Sequence, residues 1–213
     1  MLAFLHTARV HVANFERITR DLDGNVSIRH SVREDLLEQA LADGGVTAAT
    51  RASTQSEVKR LISEGARVVI CTCSTLGSAA EETPNVPGAT VLRVDRPMVE
   101  HAISLGRPIL LVAATPTALA AAVALFDEVA GGVSPAHRQL LCAAAWERFR
   151  AGDQNGYAAL LAREVDEHAR SGEVVVLAQA SMACAVALVR RTDIEILTSP
   201  DVSVRAALAL LGS

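Results

Sequence analysis

Two stretches of this chain read almost alike: Arg67-Val68-Val69-Ile70-Cys71-Thr72-Cys73-Ser74-Thr75-Leu76-Gly77 and Glu173-Val174-Val175-Val176-Leu177-Ala178-Gln179-Ala180-Ser181-Met182-Ala183. Each is a short aliphatic run without polar alternation that closes in small polar residues. A run of that kind is the signature of a strand buried on both faces of a parallel sheet. Cys73 and Gln179 hold equivalent places, 106 residues apart in a chain of 213. A second echo has nearly the same offset, Leu2-Ala3-Phe4-Leu5-His6-Thr7 against Leu110-Leu111-Val112-Ala113-Ala114-Thr115, with the two threonines 108 apart. The expectation is a chain of two similar halves whose polar strand ends face one cleft.

Working outward, the first half reads as strand 2–7, a helix from Val10 to Leu22, strand Val26–Ser31, and helices over Glu34–Ala42 and Thr47–Glu64. The strand 67–72 follows, and Val91 to Asp95 is a strand after the loop marked by Pro84, Pro87 and Gly88. Pro97 opens a helix into the second half. There Pro108–Ala114 is a strand and Thr115-Pro116-Thr117 starts an alanine-rich helix ending at Gly131-Gly132. A threonine before a proline at the first helical position is a well-formed helix start. A short strand at His137–Leu141, helices at Ala143–Arg150 and Gln154–Ala169, and strand Glu173–Ala178 complete this half. A strand at Asp193–Leu197 and a helix at Val202–Leu211 are expected to return to the first half. Alternating strands and helices of this kind build an α/β protein with doubly wound parallel sheets. The expected domains are 1–97 plus 192–213, and 98–191, pseudo-symmetric, with a cleft between them.

Composition bounds the function. Half of the residues are apolar, 21% are charged and only 3% are aromatic, so the core rests on Val, Ile, Leu and Ala. A formal charge of -4 with acids and bases interleaved leaves no basic stripe for nucleic acid and no polybasic membrane patch. No apolar run approaches membrane-spanning length. The opening Met1-Leu2-Ala3-Phe4-Leu5 reaches His6 too soon for a secretory signal core. A cytoplasmic protein with reduced thiols is expected, and self-association is left open.

The chemistry is expected beyond the carboxyl ends of the strands, where loops turn into helix N-termini. The residues there are His6 and Thr7, then Cys73, Ser74 and Thr75, then Thr115 and Thr117, and finally Gln179 and Ser181. Hydroxyls and free N–H groups at helix starts suit a carboxylate, and a helix start favours the thiolate of Cys73. Cys71 lies inside its strand and reads as core, as do Cys142 and Cys184. The Cys71/Cys73 pair has no second pair at ligand spacing, so no metal is expected. His6 reads equally as a site residue or a satisfied buried histidine. His11, His101, His137 and His168 read as surface or helix-face residues. Asp95 and Arg96 read either as a solvated strand end or as charges at the cleft mouth.

The paired halves, Cys73-Ser74-Thr75, Arg93-Val94-Asp95-Arg96-Pro97, Thr115 and the strand 173–181 together resemble the aspartate/glutamate/hydantoin racemase superfamily, which also holds arylmalonate decarboxylases and maleate isomerases. The resemblance runs from Leu5 to Gln179. It implies two α/β domains with the site between them and no cofactor or metal. In racemases of this kind one cysteine from each half flanks the substrate α-carbon. Cys73 matches the first; Gln179 stands where the second would be, and an amide is neither acid nor base in water. The resemblance therefore implies an enzyme acting on a small carboxylic acid through Cys73 alone, by one-base isomerisation, decarboxylation with a thiol proton donor, or thiol addition. The alternative is a small-carboxylate-binding protein that keeps the cleft without the chemistry.

Overall fold

The structure, a computed structural model, describes residues 1–132 and 136–212. Ser213, which ends the first expected domain, and residues 133–135 of the second lie outside the described residues. Two parallel sheets of four strands form, each in the order second, first, third, fourth. The contacts divide the chain into two units, one of residues 1–97 with the chain from Pro200 on, the other Met98–Ser199.

In the first unit β1 (Leu2–His6) and β3 (Val68–Cys71) are central, flanked by β2 (Ile28–Val32) and β4 (Thr90–Arg93). Every residue of β1 and β3 is buried, whereas the edge strands are only partly covered. Burying each of these aliphatic side chains contributes about 1.5–3 kcal/mol. Helix α1 (Val10–Leu22) turns His11, Phe15, Ile18 and Thr19 inward, the spacing of one helical stripe. Helices α2 (Glu34–Ala42), α3 (Ala48–Ser63) and α4 (Gly77–Glu81) follow, with Leu36, Ala40, Val58, Leu61 and Ala80 in one core with Ala3, Leu5, Val69 and Cys71. The Thr47 hydroxyl caps α3 by accepting from the Thr50 N–H.

The second unit repeats the plan. β5 (Ile109–Ala113) and β7 (Val174–Leu177) are central, between β6 (His137–Leu141) and β8 (Glu195–Thr198). Helix α5 (Arg96–Ser104) leads in. Helix α6 (Pro116–Ala130) starts as expected, with the Thr115 hydroxyl accepting from the Ala118 N–H at 3.2 Å and Pro116 in the first turn. It ends on Gly131, whose φ of 58° is the left-handed closure that glycine adopts without strain. Helices α7 (Ala143–Arg150) and α8 (Gln154–His168) cover the sheet, with Tyr157, Leu161 and Val165 packed on Leu110, Val112, Val175 and Leu177.

Two expectations need correction. The strand near 193–197 does not return to the first sheet: β8 pairs in parallel with β7, Val174 opposite Glu195 through Leu177 opposite Thr198. Only helix α9 (Ser199–Gly212) belongs with the first unit from Pro200 on. A three-stranded second sheet would leave β7, an aliphatic strand, with an unpaired edge, and β8 covers it. The second correction is one of register. Leu5 pairs with Cys71 and Val112 with Leu177, so with Cys73 opposite Gln179 in the repeat the counterpart of Thr7 is Ala114, not Thr115. β1 and β5 are buried at every position. Without alternation between faces, nothing in the sequence pins their alignment to one residue.

Candidate functional site

At the carboxyl edge of the first sheet, β3 runs out through Thr72 into Cys73, which is the extended residue before a single 3-10 turn at Ser74–Leu76. Cys73 is 8% exposed, Ser74 3% and Thr75 7%. Burial pushes the Cys73 thiol up, while the Thr7 hydroxyl and the N–H groups of Leu76 and Thr75 oppose that by favouring the thiolate, and Asp95 adds a further upward push. The Leu76 N–H also closes the turn onto the Cys73 carbonyl at 3.1 Å. The sulfur is therefore a neutral thiol at rest whose conjugate base has three donors already in place. Cys71, two residues back, is fully buried and its thiol is likewise pushed up by burial; it is core, as its place inside the strand implied.

Asp95 and Arg96 do not stand as open charges. Asp95 is 1% exposed and takes a two-pronged contact from Arg93, Nε to Oδ1 at 2.7 Å and Nη2 to Oδ2 at 3.0 Å. Arg96 clasps Glu81 with Nε and Nη2, the shortest contact 2.6 Å. The Arg93 side chain lies against Gly77, where an added Cβ would come within 2.9 Å of its Cβ and Nε. The strand after β3 thus ends in paired charges beside Cys73 because burial without a partner would cost several kcal/mol.

His6 is fully buried and already engaged on both ring nitrogens, Nδ1 to the Thr72 hydroxyl and Nε2 to His30 Nδ1, each at 2.8 Å. Thr72 donates to the Leu5 carbonyl at 3.2 Å. The His6 Nδ1–H must then donate to Thr72, and its Nε2 must accept from the His30 Nδ1–H. His6 stacks on Phe4 and His30, with His11 and Phe15 beside it. Burial, with His11 and His30 near, lowers its pKa to about 2. Of the two readings of His6, the satisfied buried histidine is the one these contacts support. His11, expected on a surface or helix face, is likewise buried, with its pKa lowered by desolvation to about 4.

At the carboxyl edge of the second sheet, Gln179 is half-buried, and its side-chain oxygen accepts from the Ala114 N–H at 2.6 Å. The position opposite Cys73 in the repeat is thus held by the position opposite Thr7, by a backbone donor instead of a hydroxyl. Thr115 and Thr117 lie at the start of α6 with their hydroxyls 3.3 Å apart. Ser181 is turned to the buried Tyr157, oxygen to oxygen 2.8 Å. Cys184 corrects an expectation: it is exposed, not packed, with its thiol directed at the Ser181 carbonyl. Within each unit the expected residues gather at one sheet edge, Thr7 with Cys73, Ser74 and Thr75, and Thr115 with Thr117 and Gln179.

The Ala114 N–H was missed because a backbone donor has no letter of its own. The cavity on that same edge, lined by Ala114, Trp146 and Arg150 among others, was missed too. One set of described residues brings metal-ligand atoms together, Glu164, Glu167 and His168 on the exposed side of α8. Among the described residues no helix is long and apolar enough to cross a membrane.

No family model matches the sequence, and a search of curated proteins finds no match. Solved structures do match. The chain is similar to the aspartate racemase of Picrophilus torridus, with a TM-score of 0.72 and 12% identity over all of this chain and 94% of that one. It is similar to the glutamate racemase of Thermus thermophilus in complex with beta-chloro-D-alanine, at 0.70 and 16%, over 99% of this chain and 80% of that one. It is also similar to a mutant of arylmalonate decarboxylase in a sulfate-associated form, at 0.61 and 18%, over 100% and 93%. At such identities the likeness is one of fold: the chain carries the fold that these aspartate and glutamate racemases and the arylmalonate decarboxylase share.

Proposed function

We propose that this protein is an enzyme of the racemase type that acts on a small carboxylic acid without a cofactor, with Cys73 as the group that exchanges a proton with the substrate carbon. The observation that carries the reading is the setting of the Cys73 sulfur: burial keeps the thiol protonated, and Thr7, Thr75 and Leu76 stand ready to receive the charge once the proton leaves. A thiol so placed is suited to act first as an acid. In a decarboxylation the carbon–carbon bond breaks, CO2 departs, and the electron pair left on carbon takes the Cys73 proton. The thiolate is held by its three donors until water returns a proton. In a one-base isomerisation the thiol must first give its proton to water; the thiolate then takes the α-proton and returns it. Decarboxylation needs the thiolate only after the proton has been given, which matches a site that stabilises it without making it the resting form.

The partner is a small carboxylate. Ser74 and Thr75 next to Cys73 are the hydroxyls proposed to bind it, and Thr115 and Thr117 at the start of α6 are proposed as carboxylate-binding hydroxyls of the second unit. Gln179 supplies hydrogen bonds and no proton. Its occupied oxygen is the observation that favours the second reading, a carboxylate-binding protein without turnover.

The experiment is proton exchange in D2O, with aspartate, glutamate and phenylmalonate as probes. Deuterium is expected at the α-carbon of one of them with the wild-type protein and is expected to vanish in Cys73→Ser, whose hydroxyl is far less acidic. Exchange that persists undiminished in Cys73→Ser overturns the catalytic role. Loss of exchange in Gln179→Ala would show that the second half serves the same reaction.

A further inference from the structure

Beside the first sheet, the chain between α4 and β4 borders a cavity of about 270 Å³. Pockets for drug-sized ligands run to ~300–1,000 Å³, so this one suits a smaller molecule. It lies toward the amino end of β4, where Thr90 stands opposite Val68, and so away from the carboxyl edge that carries Cys73. The loop is stiff by composition. Pro84 and Pro87 fix their own φ, Gly88 turns at a φ of 81°, and the Ala89 N–H closes onto the Val86 carbonyl at 3.1 Å.

One wall is a strand edge. The N–H groups of Thr90 and Val94 go to β3, to the carbonyls of Arg67 and Cys71 at 2.8 and 3.0 Å. By the alternation of a paired strand, Val91 and Arg93 turn their backbone groups to the outer edge. The Arg93 N–H does so, donating to Glu81 Oε1 at 3.3 Å. Val91, which lines the cavity, therefore offers a donor and an acceptor on that edge. Thr83 also lines it, is 7% exposed, and its hydroxyl has no hydrogen-bond partner among the described residues. A buried hydroxyl left unpaired is costly, and one staggered step about χ1 re-aims it. Among the described residues Glu81 is the one ionisable group of the lining. Its oxygens are held by Arg96 Nε and Nη2, at 2.9 and 2.6 Å, besides the Arg93 N–H.

We propose that this cavity is a binding site for a small uncharged carboxamide with a branched aliphatic body. A carboxamide carries an N–H donor and a C=O acceptor side by side, the complement of what Val91 presents on its outer edge. The Thr83 hydroxyl gains the partner it lacks. The aliphatic body lies against Ile62, Val86 and Val91, where burial of apolar area favours it. Charge is what the site rejects. A carboxylate would stand beside Glu81 with no cation in the lining to meet it, and an ammonium would meet a carboxylate already shared with Arg96. The cavity thus takes the neutral counterpart of the acids proposed for Cys73. This inference needs no reaction and does not rest on the Cys73 reading.

The Val91 amide makes binding observable. The full chain is labelled with 15N-valine, the Val91 signal is assigned by its loss in Val91→Ile, and the amide spectrum is titrated with isobutyramide, isobutyrate and isobutylamine. Isobutyramide is expected to shift the Val91 amide saturably, and the two charged probes to bind at least roughly tenfold more weakly, the factor that one hydrogen bond sustains. Thr83→Val, nearly the same shape, is expected to weaken isobutyramide several-fold. Its thermal unfolding midpoint is expected not to fall, because the hydroxyl has no partner in the fold to lose. Ala89→Leu fills the cavity from its wall and is expected to remove the shift, with circular dichroism checking the fold. None of these readouts involves Cys73, so the result is separate from the proton-exchange test. The inference is overturned if the Val91 amide shows no saturable shift with isobutyramide, or if isobutyrate or isobutylamine binds as well. It is also overturned if Thr83→Val binds isobutyramide as the wild type does or unfolds at a lower temperature, or if folded Ala89→Leu binds undiminished.

Discussion

Acidification through the histidine range is expected to destabilise this protein well before its carboxylates titrate. His6 and His11 are both buried and both favour the neutral ring, with pKa values lowered to about 2 and about 4. In the unfolded chain each returns to the ordinary value of 6.5. The stabilisation from keeping them neutral is fully present above that value, and it is lost as pH falls from 6.5 toward the folded values, because the unfolded state binds protons that the folded state refuses. Between about pH 7 and 5.5 the cost is about 1.2 kcal/mol per histidine, or about 2.5 kcal/mol for the pair. That is a large share of a stability of ~5–15 kcal/mol. Urea unfolding followed by far-ultraviolet circular dichroism at the two pH values measures it. His11→Gln removes one of the two titrations and is expected to halve the loss. A stability that is flat across this range, or a loss that His11→Gln leaves untouched, would refute the reasoning.

Other predictions concern the surroundings of Cys73. Thr7→Val removes a donor that favours the thiolate, and the pH profile of Cys73 alkylation should move up by about one unit. Among the four thiols the exposed Cys184 should alkylate first, with Cys73 following and Cys71 remaining protected, as mass-spectrometric mapping would show. Asp95→Asn leaves Arg93 buried with half its partner's charge-assisted contacts, and the loss in unfolding free energy should be about 3–5 kcal/mol. Gly77→Ala forces a methyl to within 2.9 Å of the Arg93 Cβ, which is fixed to the backbone of β4, and the cost by thermal unfolding should be about 1–3 kcal/mol.

The local signals reached as far as the elements and no further. Helix α6 was legible to the residue at its start, because Thr115, Pro116 and Gly131 each act through their own backbone position. Helices α1 and α2 were legible over their full length, and β7 within one residue at each end. The strand at 195–198 was legible as a strand but not as a member of the second sheet, since pairing is decided by which exposed edge accepts it. Cys73 stood out because Ser74 and Thr75 mark where an apolar strand becomes polar. His6 looked the same in sequence whether it served a ligand or the core. Only the positions of Thr72 and His30, 66 and 24 residues away, decide that its nitrogens are taken.

By itself the sequence determined the repeat, the parallel α/β class and which polar residues gather at the carboxyl edges of the sheets. Those follow from hydrophobic period and capping, which act over a few residues. Tertiary structure decided what could not be local. It paired Arg93 with Asp95, matched Thr7 to Ala114 in the repeat, directed the Ala114 N–H to Gln179, and brought Trp146 and Arg150 to one cavity. The physical reason is that burial and hydrogen-bond partnership are properties of neighbours in space, and for a strand buried on every face the chain carries no alternation from which those neighbours can be read.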